Sequence, residues 1–228
     1  TAYLALMALF ASRRRGRELQ QDDYPGTKNP KDLLYADFLV RAFPGGRVVA
    51  IVRDPRAVVA SMINGPVGPD DVANAATLWR YYAALGRNHA RMLPADRFRT
   101  VRYEDLVADP RACSEEICAF LDLPWQAHLG ESVRAIHSSF GGKQGRTIDG
   151  SRAHRYRQVL DEQQIKRVEQ IVGPELTAAG YEPSSRRPVA RSLSDQLRFR
   201  ALWLRMSAKR RGDLAGIKGW LKPGQLRC

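Results

Sequence analysis

The 228-residue sequence is poor in the residues that staple or metallate small domains: it has three cysteines, Cys113, Cys118 and Cys228, and four scattered histidines. Three cysteines cannot make a fully paired disulfide framework, and neither residue type recurs at the spacing of a zinc site. No metal is expected, and the compartment is expected to be reducing, hence cytoplasmic, with membrane association as the alternative. Long apolar runs are lacking too. The opening TAYLALMALFA is about half the ~20 residues that a membrane-spanning helix needs. The basic ASRRRGR follows it, the reverse of a signal peptide's order. An ordinary amphipathic helix is expected there. The chain begins at Thr1 within that helical pattern, without Met or cap, and is expected to be a fragment whose upstream part is missing.

Acidic residues are scarce as well. Asp+Glu number 24 against 37 Lys+Arg, a formal net charge of +13, so an anionic partner is implied: nucleic acid, a phosphorylated cofactor or a membrane surface. The excess is uneven. Arg186 to Cys228 holds twelve Lys/Arg and two Asp/Glu, so most of the net charge lies in this tail, and an anion site before it must be argued from particular residues. The 44% hydrophobic fraction suffices for one α/β domain core with an appendage. The expected division is a domain over 1–183 and a basic helical tail over 184–228.

Local signals outline the domain. Asn29 and Pro30 are an N-cap and first helical residue for KDLLYADFLVRAF, which Pro44, Gly45 and Gly46 stop. RVVAIV, Arg47 to Val52, is a continuous β-branched run, the pattern of a strand covered on both faces. Asp54 caps and Pro55 opens the next helix. Asp70 or Asp71 starts a long helix carrying Val72, Ala76, Trp79, Tyr82 and Leu85, and a second strand runs from Phe98 to Tyr103. Asp109 and Pro110 begin a helix with Ile117, Phe120 and Leu121 that Pro124 ends, and one helix is expected from Asp161 to Ala179. The tail carries one apolar stripe, Leu197, Phe199, Leu202 and Trp203. Helix, strand, helix, strand, helix at these lengths predicts a parallel sheet wrapped by helices.

In such a sheet, ligands collect beyond the strands' carboxyl ends, near helix N-termini. Arg53 ends the first strand, Arg102 and Tyr103 close the second, and Lys28 precedes the Asn29 cap. A lysine beside a helix N-terminus is unfavourable by roughly 0.3–1 kcal/mol unless an anion lies between; otherwise it is a solvated loop residue. For Arg53 an ion pair with Asp54, Glu104 or Asp105 competes with an anion site. Ser61, alone, is an ordinary mid-helix serine. Arg56 is expected to be a surface residue.

Together these residues are more specific. A hydrophobic strand ending in RDPR, with Ser61 eight residues after Arg53, closely resembles the 3′-phosphate-binding motif of sulfotransferases, which use 3′-phosphoadenosine 5′-phosphosulfate (PAPS). TKNPKDLL, VRYEDLVADP and SRAHRYR resemble three further family segments in the right order. The likeness is greatest to the branch of tyrosylprotein and bacterial sulfotransferases. It implies an α/β, P-loop-NTPase-like parallel sheet in three layers, with the first strand and the phosphosulfate loop missing upstream of Thr1, together with the general base. By position, the resemblance implies that Arg53 and Ser61 hold the 3′-phosphate, Tyr103 lines the nucleotide site, and Arg155 reaches the cofactor phosphates. Lys28 would approach the sulfuryl group, and a late-loop serine, Ser139 with Ser138 and Ser151 as alternatives, would lie near the transition state. The branch often has a basic residue four positions after the serine; here it is Gly65.

The expected function is sulfuryl transfer from PAPS to a hydroxyl, with an amine less favoured, and the chain alone is expected to be inactive. The acceptor class, whether sugar, peptide tyrosine, lipid or small molecule, is open. The competing reading is a non-catalytic nucleotide- or nucleic-acid-binding module whose basic tail, with Phe199 and Trp203, contacts a polyanion or a membrane surface.

Overall fold

A computed structural model describes residues 26–66, 68–127, 129, 155–184 and 192–220. Asn29 accepts the Lys31 N–H through its side chain at 3.0 Å and opens a 3-10 turn, Pro30–Tyr35, which continues as α1, Ala36–Ala42. Then come β1 (Val48–Val52), α2 (Pro55–Ile63) and the long α3 (Val72–Met92). β2 (Phe98–Arg102) is followed by α4 (Tyr103–Ala108) and α5 (Pro110–Leu121). A 3-10 turn at Arg155–Gln158 leads to α6 (Glu162–Val172), α7 (Pro174–Ala178) and the tail helix α8 (Leu193–Trp220). Asp54, Asp71, Asp109 and Asp161 each cap the following helix with their side chain. This is the chemistry that made those boundaries visible: a short carboxylate satisfies an N–H that the helix leaves unbonded.

β1 and β2 pair in parallel, Val48 opposite Phe98 through Val52 opposite Arg102, with α2 and α3 in the connection. Of the expected parallel sheet wrapped by helices, the described residues show a small, two-stranded one with flanking helices. Its main core lies between α2, α3 and α6, where Val59, Ala75, Ala76, Val168, Ile171 and Val172 are fully buried. A second cluster joins Leu34, Tyr81 and Leu85 to Phe199, Leu202, Trp203 and Met206 of α8. The tail helix thus packs on its own domain.

Several boundaries differ from expectation. β1 is not covered on both faces: Ile51 is 59% exposed, and among the described residues the strand pairs on one edge only. β2 ends at Arg102, and Tyr103 already belongs to α4. α5 stops at Asp122, which takes φ 60°, two residues before the proline expected to stop it, and of its expected apolar residues Ile117, Phe120 and Leu121 are half-buried while Cys118 is buried. The helix expected from Asp161 to Ala179 breaks at Gly173, φ 56° and ψ −133°, a conformation open to glycine and closed to most side chains, and Pro174 restarts it. Leu197 is not part of the packed tail stripe; it is 64% exposed.

Candidate functional site

Because Val52 and Arg102 are in register, the next residues, Arg53 and Tyr103, emerge side by side at the carboxyl end of the sheet. The Arg53 guanidinium lies over the Tyr103 ring, 4.4 Å from its centre. Such a stack uses the face of the guanidinium; its N–H donors act in the plane of the group. The backbone here is also held, since the Trp79 indole of α3 donates to the Arg53 carbonyl at 2.9 Å.

The three carboxylates offered by sequence to Arg53 take part in a wider set of contacts. Asp54 caps α2 and receives Nε and Nη2 of Arg56 at 2.9 and 2.6 Å. Glu104 accepts the Asp54 N–H at 3.0 Å and the Tyr181 hydroxyl at 2.6 Å. Burial and then Glu104 push the Tyr181 phenol well above its usual value of 10.0. Asp105 lies 4.0 Å from Arg102, whose guanidinium sits 4.7 Å from the centre of the Tyr181 ring.

Arg56 overturns its expected surface placement. It is 6% exposed and donates, beyond Asp54, to Glu169 of α6 at 2.8 Å and to the Glu182 carbonyl at 3.1 Å. Glu169 also receives the Ser184 N–H and hydroxyl at 3.0 and 2.8 Å. One cation therefore ties the first turn of α2 to α6 and to the segment after α7. Burial works against its charge, but the bond and charge of Asp54 outweigh it and hold the guanidinium protonated. The buried ring of Tyr156 lies 5.1 Å from this guanidinium. Sequence reading missed Arg56 and Glu104 as organisers because, Asp54 beside Arg56 apart, their partners are 50 to 126 residues away. The only local signal was their place beside the capping aspartate and the strand end.

The remaining candidates fall around this frame. Ser61 is exposed on α2, near its C-terminal end. Arg155 is exposed on the turn that the buried Tyr156 seats against α2. A side chain at Gly65 would put its Cβ 2.6 Å from the Ser61 carbonyl oxygen, so the basic residue of the related branch has no room in this turn. Lys28 is exposed just before the Asn29 cap, although the helix there begins as a six-residue 3-10 turn with less aligned dipole than an α-helix. Pro30, Leu33, Ile51, Arg53, Trp79 and Tyr82 share one largely apolar cavity of about 430 Å³, a size suited to a small organic ligand. That cavity connects the strand end with the turn following Lys28. Ser139, Ser138 and Ser151 lie outside the described residues.

Residues 3–127 match the model of the sulfotransferase family. The chain belongs to the sulfotransferase family. That match contains Lys28, Arg53, Ser61 and Tyr103 and ends before Ser139 and Arg155. Among similar proteins, the protein-tyrosine sulfotransferase of Drosophila melanogaster is 27% identical over 176 residues, covering 71% of this chain and 35% of that protein. Protein-tyrosine sulfotransferase 1 of Danio rerio is 26% identical over 180 residues, covering 73% and 50%. Carbohydrate sulfotransferase 5 of Mus musculus is 31% identical over 163 residues, covering 59% and 41%. The chain thus spans between about a third and a half of these relatives' lengths. In structure, it is similar to the sulfotransferase domain of the Synechococcus PCC 7002 olefin synthase, with a TM-score of 0.50 and 25% identity over 77% of this chain and 64% of that domain. Family membership agrees with the resemblance carried by RDPR and Ser61. The relatives' names divide between tyrosine and carbohydrate acceptors.

Proposed function

We propose that this protein is a PAPS-dependent sulfotransferase that transfers the sulfuryl group to a hydroxyl. In the reaction the acceptor oxygen forms a bond to sulfur, the bond from sulfur to the 5′-phosphate oxygen breaks, 3′-phosphoadenosine 5′-phosphate leaves, and the hydroxyl proton passes to a base. The observation that carries the reading is Arg53, which stands between the end of β1 and the Asp54 cap of α2 and is stacked on Tyr103 at 4.4 Å. The residues present suit an adenosine bisphosphate. The N-terminal end of α2 is the positive end of its dipole, and Arg53 and Ser61 would hold the 3′-phosphate. Tyr103 would line the adenosine side, and Arg155 would reach the phosphates from its turn.

Lys28 would act at the other end of the cofactor. Negative charge grows on the sulfonate and leaving oxygens in the transition state, so a lysine fixed there lowers the barrier more than it tightens ground-state binding. Ser139 would supply a hydroxyl from the late loop to the same region. By analogy with phosphoryl transfer, most of the rate then comes from positioning and charge stabilisation. Incubation of the full-length protein with sulfur-labelled PAPS and a panel of sugar, phenol and lipid hydroxyls tests the reading. It requires label transfer to at least one acceptor class, lowered at least tenfold by Arg53→Ala. Label transfer unaffected by Arg53→Ala would refute the assigned site, and no transfer to any acceptor would refute the activity.

A further inference from the structure

We propose that the outer face of α8 docks on an anionic lipid surface. This helix is amphipathic twice over. Its inner face is occupied: Phe199, Leu202, Trp203 and Met206 pack on Leu34, Tyr81 and Leu85, Trp203 stacks edge-on against Tyr81 at 5.2 Å, and Arg80 covers the Phe199 ring at 3.8 Å. Ion pairs pin both ends of this face. Asp195, 1% exposed, takes both arms of Arg167 at 2.7 and 2.6 Å, and Arg210 is paired with Asp37.

The opposite side carries a second apolar ridge. Leu193, Leu197 and Leu204 are 78%, 64% and 67% exposed, and at 100° per residue they fall within one narrow strip together with the exposed Ala201 and Ala208. At ~1.5 Å rise per residue the three leucines span about 16 Å. Exposed cations border the ridge on both sides: Arg198, Arg205 and Lys209 on one, Arg200 and Arg211 on the other. The two aspartates of residues 192–215 lie at the inner side, Asp195 buried and Asp213 bonded to the Tyr35 hydroxyl. Arg198 and Lys209 lean toward them at 3.9 and 3.3 Å, which leaves Arg200, Arg205 and Arg211 beside the outer ridge with no carboxylate of residues 192–215 there. A polyanion in water has no use for an aliphatic ridge. A membrane surface uses both parts, taking leucines into the boundary of its acyl chains while the arginines reach headgroup phosphates.

The test is flotation of the purified protein with phosphatidylcholine vesicles containing or lacking phosphatidylserine, at 150 mM and 500 mM salt. Binding is expected to the anionic vesicles at the lower salt. Reversing Arg205 to Glu removes one cation and adds an anion, and is expected to weaken partitioning by more than the ~5-fold that corresponds to one basic residue at such a surface. Leu197→Ser with Leu204→Ser is expected to weaken it ~10-fold or more, with no change in charge. These side chains are exposed, so circular dichroism should show an unchanged fold in both variants. The proposal is overturned if the wild type fails to float, or if the double leucine variant floats as well as the wild type. It is equally overturned if single-stranded DNA binds tightly, displaces the vesicles and is indifferent to the leucine changes, which would make the face a polyanion site.

Discussion

Replacing Arg56 with Met keeps most of its apolar stem beside Tyr156 and removes the charge that joins Asp54, Glu169 and the Glu182 carbonyl. The side chains of Asp54 and Glu169 are 9% and 8% exposed, so both carboxylates would stay largely shielded from water without their cation. Removing one partner from a buried ion pair costs about 3–5 kcal/mol, whereas a surface arginine is worth within about 0.5 kcal/mol. The residual bonds, the Arg56 N–H to Asp54 and Ser184 to Glu169, place the expected loss toward the lower end of that range. With roughly 2–4 °C per kcal/mol for a chain of this size, thermal unfolding followed by circular dichroism at pH 7.5 should drop by about 10 °C. Arg56→Lys, able to reach one carboxylate at a time, should fall between. A drop below about 2 °C would refute the view that Arg56 knots the first turn of α2 to α6.

Four other outcomes follow from the same geometry. Glu104→Ala should cost about 2–3 kcal/mol in urea unfolding, since it leaves the Asp54 N–H and the buried Tyr181 hydroxyl without their acceptor; Glu104→Gln should recover about half. His89 is buried against the Leu33 carbonyl at 3.0 Å, and burial lowers its pKa from 6.5, so below pH 6.5 the unfolded chain gains a proton that the native state resists. The wild type should therefore lose stability on going from pH 7 to pH 5, by up to about 1.4 kcal/mol per pH unit, and His89→Gln should not. Asp195→Asn breaks the paired bonds to Arg167, and about 2–4 kcal/mol should be lost with a red shift of tryptophan emission as Trp203 loosens from Tyr81. Its acidic pKa is depressed, so this contribution is present above pH 4 and fades below it. Gly65→Arg, which restores the basic residue of the related branch, should destabilise the protein by about 1–3 kcal/mol and leave nucleotide affinity no tighter than in the wild type.

What was legible in the sequence was mostly local. Asn29, Asp54, Asp71, Asp109 and Asp161 announced their helices because a cap bonds within three residues of itself. The two strands and their parallel pairing followed from β-branched runs separated by helical patterns. The placement of Arg53 and Tyr103 at neighbouring strand ends was legible as well, although their stacking needed the register. Arg56 was misjudged because its burial depends on Glu169 and Glu182, more than a hundred residues away. The two apolar faces of α8 were merged into one stripe because only the docking of Phe199, Leu202 and Trp203 separates them from Leu193, Leu197 and Leu204. Ile51 illustrates a further limit: a continuous apolar run signals burial on both faces, yet exposure depends on neighbours that the strand's own residues do not name.

Arg53, at the end of β1, is proposed to recognise a 3′-phosphate. Isothermal titration of the full-length protein with 3′-phosphoadenosine 5′-phosphate and with adenosine 5′-monophosphate, which lacks that phosphate, tests it most directly. A charge-assisted arginine–phosphate contact is worth about 1.5–3 kcal/mol, so the bisphosphate should bind at least about tenfold more tightly, and Arg53→Ala should erase most of the difference. Equal affinities for the two nucleotides, or a preference for the bisphosphate that survives Arg53→Ala, would contradict the account.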